Sequence, residues 1–357
     1  MANDKRLRVS VIGAGWYAAQ NHIPALAACD GVALDGVSRL GADELERVRS
    51  HFGFAFASED YRDVLARKPE AVIVSSPHHL HYEHATAALA AGAHVLCEKP
   101  MTLDPAQAWS LVEAARSAKR SLLIANGYHY LPGVSDARRL ILGGAVGRIE
   151  HVACSFISAT RAVFSGGAGM ASWNAAFFRP DPSTWRNPSQ GGGFAYGQMS
   201  HSVALSLWLT GLQPHSVAAR TLDQDGVDLC DSAIAQCAGG AVMSFSGAAA
   251  APEGRRAYLR LLISGSEGVL DLAFDRDWCE LSRHDGANRA IDIAPGQWVY
   301  HCRGPVEALV ALARGAGDNC SPGENGALTT AVLAAILQSA RDGGNPAPVD
   351  GRNSPAS

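Results

Sequence analysis

The sequence predicts an α/β fold in two domains, the first built on a parallel sheet and the second on a mostly antiparallel one. A glycine-rich turn lies between a strand and a helix at the start of the chain. Strands then alternate with helices over the first third, which indicates right-handed crossovers and parallel pairing. In the second half several strands follow one another without helices between them, a pattern typical of antiparallel pairing. The 357 residues are enough for two cores.

The first predicted strand, residues 7–12, leads into Gly13-Ala14-Gly15-Trp16-Tyr17-Ala18, and a helical pattern continues to residue 27. This G-x-G-x-x-A motif lies between a strand and a helix, where its glycines let the backbone approach a pyrophosphate at the helix N-terminus. We therefore predict that residues 1–126 form a Rossmann dinucleotide-binding domain. The candidate cofactor contacts in this turn are Gly13, Gly15, Trp16 and Tyr17.

Further elements are predicted along both domains. In the first, strands are predicted at 32–38, 54–57, 71–76, 94–100 and 122–127, and helices at 43–51, 61–66, 81–91 and 104–118. The second domain is placed at 127–345, with strands at 149–157, 216–221, 232–237, 241–248, 258–264 and 268–273, and helices at 133–142, 306–313 and 326–340. Its closing helices are candidates to pack back on the first domain, and 346–357 is predicted to be a flexible tail.

The end of the second strand bears on the choice of cofactor. NAD-binding folds usually place an acid there for the ribose hydroxyls, whereas an arginine accommodates the 2′-phosphate of NADP. The predicted strand ends at Ser38 and is followed by Arg39. Asp35 lies three residues before Ser38. We therefore predict NADP(H) rather than NAD(H), with Ser38 and Arg39 at the cofactor. The alternative is that Arg39 is an ordinary solvated residue.

The motif Glu98-Lys99-Pro100 ends the predicted strand 94–100. A cation at the carboxyl end of a parallel strand lies where open α/β sheets bind ligands. A lysine beside an apolar cleft can shift its pKa and act in proton transfer. Taken alone, Glu98 and Lys99 are better explained as a surface ion pair that closes a strand, and only their context favours a site.

A histidine-rich segment, Ser76-Pro77-His78-His79-Leu80-His81, precedes the helix at 81–91. His81 and His84 are three residues apart on that helix, which raises the possibility of a metal site. No carboxylate or thiol is recognisably placed to complete the ligand set, so we predict no metal. The loop is instead expected to cover the cofactor, with Ser76, Pro77, His78 and His81 as candidate contacts.

Composition excludes several classes of function. The formal charge of −4 argues against nucleic-acid binding, and no apolar run is long enough to span a membrane. The eight cysteines are scattered without a CxxC motif, so a structural zinc site is not expected. With no secretory signal in view, we expect reduced thiols in a cytoplasmic protein that binds a small molecule.

Together, the glycine turn, the segment 76–81 and Glu98-Lys99-Pro100 resemble the Gfo/Idh/MocA family, the relatives of glucose-fructose oxidoreductase and inositol dehydrogenase, over residues 7–345. The resemblance implies a Rossmann domain followed by an α/β domain on an open, mostly antiparallel sheet that carries the substrate face. It implies that Lys99 lies by the nicotinamide, with Glu98 beside the cofactor, and that the peptide before the proline is often cis. It also implies a homodimer or homotetramer.

Two later segments also match this family. In the domain-crossing segment 127–132, His129 and Tyr130 stand where Asn or Arg is common. Within the long irregular segment 161–190, the pair Trp185-Arg186 resembles a WR pair that approaches the cofactor and active site. We treat both residues of that pair as candidate cofactor contacts.

Gly191-Gly192-Gly193 then opens a helix that contains His201 and ends before Gly211. The family pattern here is D-x-G-x-H-x-x-D, and the matching positions are Gly197, Met199, His201 and Ala204. The histidine is kept and both aspartates are absent, so we expect open space above this helix face. His201 joins Lys99 as a candidate catalytic residue. Gln198 is its candidate hydrogen-bond partner, and Tyr196 is a candidate proton donor if it turns inward.

Three functions are compatible with these observations. The first is an NADP(H)-dependent oxidoreductase that moves a hydride between the nicotinamide and a secondary alcohol or ketone of a sugar, cyclitol or sugar-like biosynthetic intermediate. The second is a redox-neutral enzyme whose tightly bound dinucleotide oxidises the substrate transiently before epimerisation or elimination. The third is a non-catalytic dinucleotide-binding sensor.

Overall fold

The computed structural model describes residues 6–165, 177–179 and 182–350, and two sheets organise this part of the chain. The strands of the first sheet are β1 (Leu7–Ile12), β2 (Val32–Ser38), β3 (Phe56–Ser58), β4 (Ala71–Val74), β5 (His94–Cys97) and β6 (Leu122–Ile124). Their order is β3-β2-β1-β4-β5-β6 and every pair is parallel. The strand order reverses between β1 and β4, the place where such sheets bind ligands.

Helical crossovers join these strands. A π-helical turn, Ala18–His22, leads into α1 (Ile23–Ala27), followed by α2 (Ala42–Phe52), α3 (Tyr61–Ala66), α4 (His81–Ala90) and α5 (Pro105–Ala118). The predicted strand 94–100 ends earlier, at Cys97. The backbone N–H of Lys99 donates to the Glu98 carboxylate instead of to a strand, and Pro100 has no N–H to give.

Within the described residues the second sheet has nine strands. They are β7 (Ile149–Ile157), β8 (Pro214–Gln224), β9 (Val227–Cys237), β10 (Val242–Ala248), β11 (Tyr258–Gly265), β12 (Gly268–Ala273), β13 (Trp278–Arg283), β14 (Arg289–Ala290) and β15 (Ala347–Pro348). Their order is β14-β13-β12-β11-β7-β10-β9-β8-β15, and only β7 and β10 pair in parallel. The predicted α/β fold with a mostly antiparallel second sheet is confirmed.

The predicted flexible tail starts too early. Ala347 pairs with β8, and both Ala347 and Val349 are buried, so the chain is held in the second sheet as far as this point. The remainder of the predicted tail, residues 351–357, lies outside the described residues. The sequence pattern missed β15 because two residues are too few to show alternation.

Six further helices complete the described part of the chain: α6 (Val134–Leu142), α7 (Arg161–Phe164), α8 (Pro182–Arg186), α9 (Ser200–Thr210), α10 (Arg303–Ala313) and α11 (Gly323–Arg341). Helix α10 packs back on the first domain, where Val306 and Leu309 join the core around β1. Helix α11 approaches β6 closely, since a side chain on Gly326 would meet Ile124. No helix in the described ranges is both long and apolar enough to cross a membrane.

Candidate active site

A cavity of about 430 Å³ lies between the two domains, at the carboxyl ends of β1, β4 and β5. Its size suits a small-molecule site. The sequence-predicted residues that line it are Gly15, Trp16, Tyr17, Ser76, Pro77, His78, His81, Glu98, Lys99, Trp185, Gln198 and His201. The predicted residues outside the lining are Gly13, Ser38, Arg39, Arg186 and Tyr196.

The glycine turn fits a dinucleotide. Gly13 has a φ of 84°, in the left-handed region, and a side chain there would collide with the backbone of Ser76. The amides of Gly13 and Ala14 donate to the carbonyl of Ser38 at 2.9 and 3.0 Å. A Cβ on Gly15, by contrast, would meet no heavy atom within 4 Å. Because Gly15 lines the cavity, this open space is of the kind that a pyrophosphate would need for close approach to the backbone.

Glu98 fixes the backbone from which Lys99 projects. One Glu98 oxygen accepts the Lys99 backbone N–H at 3.0 Å, and the other lies 2.6 Å from His22 Nε2. Burial raises the pKa of Glu98, but the hydrogen bond to His22 and the charges of His22 and Lys99 outweigh it, so the pKa lies below its ordinary value. Glu98 is therefore an ionised anchor. The peptide between Lys99 and Pro100 is cis.

The Lys99 side chain joins the Rossmann domain to the second domain. Nζ donates a hydrogen bond to the backbone carbonyl of Gly197 at 2.7 Å, and the residue is only 7% exposed. Burial lowers the pKa of Lys99 and prevails over the charges of Glu98 and Cys302, which raise it. The neutral amine is therefore reached more easily than in water, as proton transfer at a lysine requires.

The side chain of His201 is surrounded by three aromatic rings. Its ring centroid is 5.7 Å from that of Tyr128, 6.1 Å from Phe156 and 5.1 Å from Tyr300. Burial lowers the pKa of His201 well below its ordinary value, and the charges of Lys99 and His129 lower it further. Nδ1 has no hydrogen-bond partner in the described part of the chain. His201 is thus a neutral imidazole with one nitrogen left without a protein partner.

The predicted hydrogen bond between Gln198 and His201 is wrong. Gln198 lines the cavity, but no such bond joins these two described residues. The reason is local geometry, because Ala195–Met199 forms a π-helical turn before α9. A π turn holds more residues than an α turn, so positions three apart no longer face each other.

A buried carboxylate anchors the start of the helix that carries His201. Asp228 accepts the backbone N–H of Ala195 at 2.5 Å. Gly193 has a φ of 103°, and a side chain there would collide with the Asp228 carboxylate. The last glycine of the run is therefore required by a close backbone approach.

The histidine-rich loop is tied to the backbone around it. His81 Nδ1 lies 2.8 Å from the carbonyl of Pro100, and its Nε2 lies 2.8 Å from that of Ser76. His78 Nδ1 lies 3.0 Å from the carbonyl of Gly191. Among the described residues there is no cluster of His, Cys, Asp and Glu suited to a metal ion. These histidines join the loop to both the Lys99 turn and the glycine run.

Two family models match the chain. "Oxidoreductase family, NAD-binding Rossmann fold" covers residues 7–126, and "GFO/IDH/MocA C-terminal domain" covers residues 134–271. The chain belongs to the Gfo/Idh/MocA family. The resemblance of its motifs is thereby confirmed.

Curated relatives in the Gfo/Idh/MocA family match over part of their length. D-glucoside 3-dehydrogenase of Escherichia coli (strain K12) is 33% identical over 153 residues, 40% of this chain and 41% of that protein. Glucose-6-phosphate 3-dehydrogenase of Bacillus subtilis (strain 168) is 32% identical over 149 residues, 42% of each chain. The aligned stretch therefore spans less than half of either relative.

Solved structures share the fold over nearly the whole chain. A levoglucosan dehydrogenase complex with NADH and levoglucosan has a TM-score of 0.79 at 21% identity, covering 97% of this chain and 100% of that one. GenD2 from gentamicin A biosynthesis in complex with NAD has a TM-score of 0.77 at 23% identity, covering 97% of each chain. These matches establish the Gfo/Idh/MocA fold of both domains.

At position 197 the chain departs from the Gfo/Idh/MocA pattern, and the space predicted there is filled. A Cβ on Gly197 would lie 2.8 Å from Phe164 Cζ and 3.5 Å from Trp185 Cζ3. Phe164 is fully buried and packs against Trp185, with ring centroids 6.2 Å apart. The expectation of open space is wrong because α7 brings an aromatic ring to the place where the family carries a carboxylate.

Replacing Gly197 by aspartate is expected to destabilise the protein rather than to supply the missing acid. The new side chain would be forced against the Phe164 ring, and overpacking of this kind costs about 1–3 kcal/mol. Urea unfolding of G197D measures the loss. Adding F164A makes room and is expected to recover part of the stability lost in G197D. An unchanged unfolding midpoint in G197D would contradict this account of the packing.

Tyr196 does not turn toward the cavity. Its hydroxyl donates to the carbonyl of Leu103 at 3.1 Å, and burial raises its pKa to about 12. The prediction of Tyr196 as a proton donor is corrected, because a buried hydroxyl needs an acceptor and Leu103 provides one away from the lining.

Arg39 packs on a segment of the second domain. Its guanidinium lies 3.9 Å from the ring centroid of Phe178, and Nη1 donates to the carbonyl of Ala14 at 3.5 Å. The Ser38 hydroxyl donates to the carbonyl of Glu59 at 3.3 Å, so Ser38 supports the strand end and does not face the cavity. Arg39 is accordingly a half-buried residue beside the glycine turn, not an ordinary solvated one.

Only one residue of the predicted Trp185-Arg186 pair lines the cavity. Trp185 lines the cavity and its carbonyl accepts the backbone N–H of Gly193 at 3.1 Å, whereas Arg186 is exposed outside the lining. Neighbouring side chains of a short helix point in different directions, so both could not face the cavity. Of the predicted irregular segment 161–190, residues 166–176 and 180–181 lie outside the described residues.

Several lining residues were missed by sequence reasoning. In the domain-crossing segment, Tyr128 lines the cavity. His129 instead stacks on Trp208 at 4.9 Å, and the Tyr130 hydroxyl lies 2.9 Å from that of Ser321. The other missed lining residues include Ser158, Thr160, Arg255 and Tyr300. They follow strands or lie in loops, where no periodic pattern indicates which side chains turn inward.

Proposed function

We propose that this protein is an NAD(P)-dependent oxidoreductase that moves a hydride between the nicotinamide and a secondary alcohol or ketone of a sugar, cyclitol or sugar-like intermediate. The observation that carries the proposal is that Lys99 and His201, both 7% exposed, line one cavity beside the open glycine turn. When bound, the dinucleotide supplies the hydride acceptor or donor. The chain supplies the positioning and the proton chemistry.

Lys99 is suited to hold and move the substrate proton. Its Nζ already donates to the Gly197 carbonyl, which orients the remaining ammonium protons and the lone pair formed on deprotonation. Because burial lowers its pKa, the neutral amine can accept the proton of a substrate hydroxyl. In the reverse direction the ammonium can return that proton to the carbonyl oxygen.

His201 is suited to orient the substrate. A neutral imidazole offers one donor and one acceptor, and the aromatic rings of Tyr128, Phe156 and Tyr300 restrict water around it. With no carboxylate at position 197, the lysine amine is the group best suited to carry the proton. His201 then binds a substrate hydroxyl.

We propose that Gly13, Gly15, Trp16, Tyr17, Ser76, Pro77, His78, His81, Glu98, Lys99 and Trp185 surround the dinucleotide, with Arg39 at its adenosine end. Preference for NADP(H) over NAD(H) is supported by the residue that follows β2, which is Arg39 and not an acidic residue. Asp35 is buried and ion-paired with Arg67 at 2.8 Å, whereas Arg39 and Arg47 both pack against Phe178 nearby. With Arg39 at the adenosine end and Arg47 on the same ring, these cations would favour a 2′-phosphate on the ribose.

The experiment is a binding and turnover assay on the full chain. We expect NADPH to bind more tightly than NADH, measured by titration calorimetry. We also expect reduced nicotinamide to appear with a panel of neutral and phosphorylated sugars, glycosides and cyclitols. Tighter binding of NADH would overturn the cofactor preference. No redox change with any member of the panel would argue against the oxidoreductase.

A second candidate is the redox-neutral reaction, and one observation favours it. Phe177 and Phe178 pack on Arg39, Arg47 and Phe52, so a segment of the second domain would cover the adenosine end in this proposal. Such cover would retain the dinucleotide between turnovers. Release of dinucleotide on denaturing the purified protein, with no net change in reduced nicotinamide during turnover, would favour this candidate. A non-catalytic sensor is less well supported, since it would not need the buried Lys99.

A cytoplasmic homodimer or homotetramer is also proposed. The eight cysteines are free, as suits a reducing compartment. Ile234 and Leu262, on the outer side of the second sheet, are 56% and 40% exposed, and exposed apolar side chains on a sheet favour self-association. The domain limits 1–126 and 127–345 remain predictions.

A further inference from the structure

Three charged residues are among those that line the cavity, and they are Glu98, Lys99 and Arg255. Glu98 is held by His22, and Lys99 is bonded to the Gly197 carbonyl. Arg255 is exposed, and within the described ranges its side chain makes no ion pair or hydrogen bond. The second domain therefore presents one uncompensated cation to the cavity.

The position of Arg255 is fixed by its neighbour. Arg256 forms a two-pronged ion pair with Asp277, with nitrogen–oxygen distances of 2.7 and 2.9 Å. In the same loop, the backbone N–H of Ala251 donates to the carbonyl of Ser158 at 3.1 Å. The loop between β10 and β11 is thus secured on two sides, which holds the backbone of Arg255 beside the cavity.

Hydroxyl groups accompany this cation. Ser158 and Thr160 are buried, line the same cavity from the end of β7, and have their hydroxyl oxygens 2.8 Å apart. Hydroxyls beside a guanidinium provide hydrogen-bond donors for an oxyanion. A guanidinium also matches the geometry of carboxylate and phosphate in two-pronged contacts. Arg255, Ser158 and Thr160 all belong to the second domain, whereas Lys99 belongs to the first.

We propose that Arg255, with Ser158 and Thr160, binds an anionic group, a phosphate or a carboxylate, carried by the sugar away from the carbon that reacts. This inference rests on the proposed function, because it takes the ligand to be sugar-like. It narrows the substrate class to sugar phosphates and sugar acids. Arg255 is a specificity-determining residue in this proposal.

The test measures binding of glucose, glucose 6-phosphate and glucuronate to the full chain saturated with reduced dinucleotide, by titration calorimetry. We expect at least one anionic probe to bind the wild type about tenfold or more tightly than glucose, as charge-assisted hydrogen bonds provide. The better of the two probes distinguishes phosphate from carboxylate. R255Q is expected to remove this difference, and R255K to keep part of it.

The matched control is R289Q. Arg289 is an exposed arginine on β14, outside the cavity lining, and its loss is expected to leave the preference for the anion intact. Equal binding of all three probes to the wild type, failure of both anionic probes to bind, or an unchanged preference in R255Q would overturn the inference.

Failure of this inference is distinguishable from failure of the proposed function. Turnover of a neutral sugar by the wild type, together with an unchanged anion preference in R255Q, would leave the oxidoreductase standing and remove the role of Arg255. An anion preference that R255Q abolishes, in a protein that turns over no member of the panel, would support the anion site at Arg255 and overturn the oxidoreductase.

Discussion

Replacing Lys99 by methionine is expected to lower kcat by about 10²–10⁴-fold, the range that a positioned acid or base contributes. Methionine keeps most of the buried stem of the side chain while removing the amine that donates to the Gly197 carbonyl. The dissociation constant of the dinucleotide is expected to change far less than kcat, because the open glycine turn that would hold the pyrophosphate lies on a separate loop. Steady-state kinetics and titration calorimetry measure the two effects separately.

The pH profile sharpens this prediction. Burial lowers the pKa of Lys99, so the wild-type rate of alcohol oxidation is expected to rise as pH increases through that lowered pKa and the neutral amine forms. K99M should lose this limb of the profile. The control is K68M, which removes an exposed lysine of the same domain and should leave both rate and profile intact. Wild-type turnover in K99M would exclude Lys99 from the reaction.

Replacing Gly13 by alanine is expected to disrupt the glycine turn after β1. It should lower the free energy of unfolding by about 3 kcal/mol or more. Alanine disfavours a φ of 84°, and its Cβ would collide with the backbone of Ser76 at the end of β4. Thermal and urea unfolding measure the loss. Dinucleotide binding should fail in the same variant, because the turn cannot keep its shape.

Gly15 provides the matched control for Gly13. An alanine Cβ there meets no protein atom within 4 Å, so G15A should be as stable as the wild type to within about 0.5 kcal/mol. It should nevertheless bind the dinucleotide about 10–100-fold more weakly, because the added methyl group would occupy the space of the pyrophosphate and weaken its charge-assisted hydrogen bonds to the backbone. If G15A bound the dinucleotide like the wild type, the pyrophosphate would have to lie elsewhere.

Sequence reasoning served best where a local pattern fixes the backbone. The strands 7–12, 32–38 and 149–157 have the predicted bounds, because alternating or continuous apolar residues indicate strands directly. Lys99 and His201 both line the cavity, as the resemblance to the Gfo/Idh/MocA family implied. The local pattern alone would not have found them, since it is equally typical of a surface ion pair and of a buried histidine.

The missed features depend on distant contacts. The ring of Phe164 fills the space over Gly197, although the two residues are 33 positions apart and lie in different helices. Tyr300 and Arg255 reach the cavity from loops that carry no periodic signal. A pattern of neighbouring residues reports local conformation and burial, whereas the identity of the side chain that fills a given space is set by tertiary packing.

Phe177 and Phe178 belong in sequence to the second domain, yet they rest on α2 and Arg39 of the first. A few residues further along the chain, Trp185 forms part of the cavity wall. Trp185 also packs against His78 of the first domain, with ring centroids 5.1 Å apart. Within nine residues of sequence, the second domain therefore meets the first domain twice, at α2 and at the histidine-rich loop. Separating the two domains would require both sets of aromatic contacts to break.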